Sequence, residues 1–121
     1  MKVKTYTAQE LAYFVNSDEY DKLKNVPISK IRAISQVNNP RASEDDILLF
    51  VAFDEGRTVG YFGVLPDMIY CKDQVEKIGW GTCFWVDEKY KSQNVAAAIF
   101  LKVIREWKQK RYKGIKNYWK R

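Results

Sequence analysis

The sequence predicts an α+β domain, a mixed but mostly antiparallel sheet flanked by helices, and three observations carry that prediction. Residues 47–53, Ile-Leu-Leu-Phe-Val-Ala-Phe, form an unbroken apolar run of strand-forming residues at strand length. Residues 76–86 form a longer segment in which both alternating sets are apolar or small, as a central strand packed on both faces requires. Residues 95–107 then change period: Ala96, Ile99, Val103 and Trp107 fall near one stripe, with Phe100 and Ile104 beside it, which marks a helix docked on the sheet.

The remaining elements follow in chain order. Val3 to Tyr6 reads as a short strand, and Thr7-Ala8-Gln9-Glu10 has the spacing of a capping box, so a helix is expected from there with Leu11, Phe14 and Val15 on its apolar side. A second helix is expected from Pro27, a residue suited to the first helical position, ending at Asn38-Asn39-Pro40. Asp54-Glu55-Gly56-Arg57 supplies a hairpin connection, and Thr58 to Leu65 is the returning strand, closed by Pro66-Asp67. Gly60 and Gly63 lower its strand propensity but permit close backbone approach. Met68 to Cys71 reads as a separate edge piece, Lys72-Asp73-Gln74 is a polar turn, and in the long strand Ile78, Trp80, Thr82, Phe84 and Val86 are expected on one face, with Gly79, Gly81, Cys83 and Trp85 on the other.

Composition narrows the function classes. A chain of 121 residues makes one domain with a core of its own. Its longest apolar stretches, residues 47–53 and 95–101, fall short of the roughly 20 residues needed to span a bilayer, and residues 1–10 lack a secretory apolar region. The expectation is a cytoplasmic protein without a membrane span. Histidine is absent, which excludes Ser-His-Asp and Cys-His nucleophile systems. Two cysteines, Cys71 and Cys83, cannot supply four zinc ligands, so no metal is expected, and both read as reduced thiols.

The net charge of +6 is uneven. Residues 102–121 hold nine Lys/Arg against Glu106, a surplus of +8, which leaves −2 for the first 101 residues. This end reads as a solvated helix face running into a basic C-terminal tail, residues 111–121. The tail and its aromatics raise a nucleic-acid reading as well, but no recognised binding motif accompanies them, so a nucleic-acid partner is not expected.

The chemistry-bearing segment is Val86-Asp87-Glu88-Lys89-Tyr90-Lys91-Ser92-Gln93-Asn94-Val95-Ala96, the junction between the long strand and the Ala-rich helix start. Such a junction presents unpaired N–H groups and the positive end of a helix dipole, which suits phosphate. These residues resemble the GCN5-related N-acetyltransferase (GNAT) family, whose corresponding turn carries Q/R-x-x-G-x-G/A. Lys91 stands at the Gln/Arg position, Asn94 at a Gly position and Ala96 at the Gly/Ala position; Ser92 also replaces a glycine. Phe84-Trp85-Val86-Asp87 is similar to the family's strand ending, and Thr58-Val59-Gly60-Tyr61 to its third strand. The resemblance covers residues 1–110 and implies a GNAT-like acyl-CoA N-acyltransferase fold, in its first half, with the C-terminal elements truncated.

The resemblance further implies direct transfer of an acetyl group from acetyl-CoA, as co-substrate, to a small-molecule or peptide amine. Phe84, Trp85, Val86, Lys91, Ser92, Gln93, Asn94, Val95 and Ala96 would hold the cofactor, and a strand amide would polarise the thioester carbonyl. Glu76, at the start of the long strand, is the first residue to test as base, ahead of Tyr90 and Cys83. The alternative is a non-catalytic truncated module of the same fold that forms a homodimer through an open sheet edge.

Overall fold

A computed structural model describes residues 1–109 and 115–117. The chain opens with strand β1 (Lys2–Thr7), helices α1 (Ala8–Phe14), α2 (Asp18–Asp21) and α3 (Lys30–Val37), and strands β2 (Ile47–Asp54), β3 (Arg57–Cys71) and β4 (Gln74–Val86). A 3₁₀ turn (Glu88–Gln93), helix α4 (Val95–Gln109) and the short strand β5 (Ile115–Asn117) complete it. The sheet order is β1-β2-β3-β4-β5, antiparallel except for the β4–β5 pair, which is parallel.

Local chemistry explains most boundaries. The capping box forms as expected: the Glu10 N–H donates to Thr7 Oγ1 at 3.2 Å, and the Thr7 N–H donates to Glu10 Oε1 at 2.9 Å. The second expected helix starts at Lys30 rather than Pro27, because Ser29 Oγ accepts from the Arg32 N–H and sets the N-cap there. The additional short helix α2 is capped in the same way by Ser17.

Strand β3 does not close at Pro66. It runs on to Cys71 and pairs with β4 along its whole length, whereas its pairing with β2 stops at Gly63. Pro66 therefore lies where β3 has no second neighbour, and its missing N–H costs no ladder bond. Lys72 and Asp73 both take positive φ, +48° and +68°, in the two-residue turn that suits the twist of a hairpin.

Two cores lie on opposite faces of the sheet. Leu11, Phe14, Val15 and Ala33 from the first helices bury Leu49 and Val51 on one face. On the other, Val95, Ile99, Val103 and Trp107 of α4 bury Phe50, Ala52, Phe62 and Val64. The buried stripe of α4 thus starts at Val95, not Ala96, and recurs every fourth residue. Two glycines let α4 lie close: a Cβ on Gly60 would stand 2.8 Å from Val95, and one on Gly79 would meet the Trp107 ring.

The face assignment of β4 needs correction. Between Gly81 and Cys83 the register against β3 shifts, so Thr82 is an extra, bulged residue. A bulge reverses the alternation beyond it. Trp80, Cys83 and Trp85 therefore share the α3 face, where Trp85 stacks on Tyr61 at 5.5 Å. Gly79, Gly81 and Phe84 share the α4 face, where Phe84 packs on Phe100 at 5.3 Å.

Candidate active site

The far end of β4 is where the sheet opens. Among the described residues, β5 pairs only with Gly79, Trp80 and Gly81, so Thr82 to Val86 have a partner on the β3 side alone. The Asp87 N–H donates to the Val59 carbonyl at 2.8 Å. Counting back by twos along an antiparallel ladder, Trp85 and Cys83 also bond toward β3, which leaves the N–H and C=O groups of Phe84 and Val86 pointing to the open side. Unpaired backbone groups on a half-exposed edge are a standing site for polar ligand atoms.

The strand then runs into a shaped turn. Asp87 opens it: its side chain accepts from the Lys89 N–H at 3.0 Å, and its carbonyl accepts from the Tyr90 N–H at 2.9 Å. Asn94 ends it in the left-handed conformation, φ +59° and ψ +33°. Asparagine reaches that conformation at lower cost than other non-glycine residues, which is how the turn closes without the expected glycine. The first α-helical bond of α4 is Ala98 N–H to the Asn94 carbonyl, 3.0 Å, so the N–H groups of Val95, Ala96 and Ala97 precede the helical ladder.

Lys91, Ser92, Gln93 and Asn94 are exposed around this helix start, Ala96 is half-buried and Val95 is core. Lys91 Nζ lies 3.0 Å from Glu88 Oε2, both well exposed, so the pair is solvent-screened. Phe84, Trp85, Val86 and the turn from Lys91 to Ala96 thus converge on one end of the sheet. Glu76 is not brought there. It pairs with Ile69 near the hairpin turn, eight residues before Phe84 and roughly 26 Å away along the strand.

A cleft of about 600 Å³ lies on the α3 face of the same strand. Arg32, Ser35 and Gln36 of α3 form one wall, Leu65 and Asp67 of β3 and Trp80 and Thr82 of β4 the other. Asp67 organises it: one carboxylate oxygen accepts the Trp80 indole N–H at 2.8 Å, and the other takes the Arg41 guanidinium and the Met68 N–H. The indole bond first, then the Arg41 and Met68 bonds, hold its carboxyl below the usual carboxylate range, so it is ionised near neutrality. Asp67 and Trp80 escaped the sequence reading because Pro66-Asp67 looked like a strand end. A strand Trp whose N–H needs a partner was the available signal.

Among the described residues no group of His, Cys, Asp or Glu could hold a metal, and no helix is long and apolar enough to cross a membrane. No family model matches the chain, and no curated protein matches it in sequence. Solved structures do match. An aminoglycoside acetyltransferase from an uncultured soil metagenomic sample, in complex with sisomicin, superposes with a TM-score of 0.65 at 15% identity over 99% of this chain and 78% of that one. An acetyltransferase from Vibrio fischeri gives 0.62 at 13% identity over 98% and 97% of the two chains. An aminoglycoside N-acetyltransferase in complex with CoA gives 0.61 at 10% identity over 96% and 77%. With its mostly antiparallel sheet flanked by helices, the chain has the fold of the GCN5-related N-acetyltransferases.

Proposed function

We propose that the chain is an acyltransferase that takes an acetyl group from acetyl-CoA, bound at the open edge of β4, and transfers it directly to an amine. The observation that carries this reading is the meeting of the Phe84 and Val86 backbone groups, which have no strand partner on that side among the described residues, with the N-terminus of α4 across the Asn94 turn. The residues present fit the cofactor. A pyrophosphate finds the uncommitted N–H groups of Val95, Ala96 and Ala97, the small Ala96 side chain leaves room, and Lys91 adds positive charge.

When bound, acetyl-CoA supplies a thioester carbonyl open to attack by an amine. The Phe84 or Val86 N–H, fixed by the ladder to β3, is preorganised to donate to an oxygen on which negative charge develops. Trp85, Ser92 and Gln93 border the same path and position the ligand. The amine nitrogen bonds to the acetyl carbon as the carbon–sulfur bond breaks, and CoA would leave as its thiol with the proton the amine gives up; Glu76 stands too far from Phe84 to take that proton at hydrogen-bond distance. The neighbour solved with sisomicin makes a small-molecule amine the natural acceptor class, with a peptide amine as the other.

Calorimetry with acetyl-CoA and with CoA tests this. Saturable binding of both, lost in Ala96→Trp, is expected; absence of binding at millimolar ligand overturns the reading. The competing reading, a non-catalytic homodimer through the β4 edge, draws on exposed Phe84, Phe100 and Ile104 beside that edge. Light scattering that shows a monomer at high concentration removes it.

A further inference from the structure

The α3 cleft holds two features that the acetyl-CoA site does not use. The first is Gln36, only 7% exposed, whose Oε1 is buried with no hydrogen-bond partner. A buried amide oxygen without a donor is destabilising, and rotation of the amide about its last bond exchanges Oε1 with Nε2. Gln36 lines the cleft, so its amide can turn either a donor or an acceptor toward a molecule held there.

The second is Arg32, one helical turn before Gln36 and on the same face of α3. Its guanidinium enters no ion pair among the described residues, whereas Asp67 across the cleft is already compensated by Arg41. The uncompensated charge of the cleft is therefore positive and belongs to Arg32. A guanidinium presents a planar fork that matches a carboxylate or a phosphate.

We propose that this cleft is a subsite for the anionic group of a small polar ligand, with Arg32 clamping a carboxylate or phosphate and Gln36 hydrogen-bonding the polar group beside it. Leu65 and the Trp80 ring supply the apolar surface against which the rest of the ligand lies. Resting on the acetyl-transfer reading, the proposal makes the acceptor an amine that also carries an acid, because Thr82 places the cleft next to the open end of β4.

The test separates this subsite from acetyl transfer by omitting acetyl-CoA. The Trp80 indole N–H, bonded to Asp67 in the cleft wall, is followed by NMR during titration with two matched pairs. L-phenylalanine against 2-phenylethylamine isolates the carboxylate, and O-phosphoethanolamine against ethanolamine isolates the phosphate. In at least one pair the acid-bearing member is expected to bind about tenfold or more tighter, and Arg32→Gln should erase that preference while Gln36→Leu weakens binding. Arg32 is exposed, so its variant should melt like the parent. Equal binding within both pairs, no binding at all, or a preference that survives Arg32→Gln overturns the subsite. Calorimetric binding of acetyl-CoA alongside such a result would leave the acetyl-transfer reading standing.

Discussion

Strands β2 and β4 both run through the middle of the sheet, yet they do opposite work. From Ile47 to Ala52 every residue of β2 is buried, its neighbours β1 and β3 flank it on both sides, and helices cover both faces. Strand β4 has a bulge at Thr82, one-sided pairing from there to Val86, and a phenylalanine at 41% exposure. From Leu49 to Phe53 the first strand pairs with a neighbour on both sides. Among the described residues the second leaves some without a strand partner, and such groups can bond a ligand.

The largest effect that should separate the two strands is a matched truncation. Phe50→Ala removes a fully buried ring and should cost about 3–5 kcal/mol in denaturant unfolding, whereas Phe84→Ala should cost less than about 2. Equal losses would break the contrast. Next comes Ala96→Trp at the ligand end, which should weaken CoA binding by about 100-fold in calorimetry, roughly 2.7 kcal/mol, while the melting temperature stays near the parent's.

The Asn94 turn lies between stability and binding. Asn94→Val puts a β-branched residue at φ +59° and should cost about 1–2 kcal/mol, whereas Asn94→Gly keeps the turn and the CoA affinity. Denaturation curves of the two variants decide this; a Val variant as stable as the Gly variant would mean the conformation matters little.

The two halves should also respond to pH in opposite directions. Burial first, then Glu19 and Glu10, pushes Tyr6 up to about 12 from the ordinary 10. A group raised in the folded state adds stability that is complete below the unfolded value and lost as pH climbs from about 10 to 12. Tyr6→Phe, which also deletes a buried hydroxyl without a partner, should flatten that alkaline loss. Asp67 is lowered instead, chiefly by the Trp80 indole bond, so its contribution is present above the usual carboxylate range and disappears as pH falls below it. Asp67→Asn should flatten the acid side of the thermal-melt profile, the smallest of these effects because the group is partly exposed.

Much of this molecule was legible without coordinates. Thr7 and Glu10 announced α1, the run from Ile47 announced β2, and the segment from Val86 to Ala96 announced the strand-turn-helix junction, because capping, hydrophobic periodicity and helix-start chemistry act over a few residues. What went astray depended on neighbours distant in sequence. Pro66 is tolerated inside β3 only because β2 has ended, and the faces of β4 follow from a bulge that only pairing with β3 reveals. Asp67 and Trp80 of the cleft wall, and Arg41 behind Asp67, are joined by bonds that no spacing in the chain connects.

The sequence by itself therefore determined most of the elements, the apolar faces of β2 and α4 and the strand-turn-helix junction, since each follows from local side-chain chemistry and short-range period. Only the tertiary structure decided which backbone groups have no strand partner among the described residues, at Phe84 and Val86, and which charge has no ion partner among them, at Arg32. Pairing and compensation are properties of contacts between distant segments, and the chain order does not contain them.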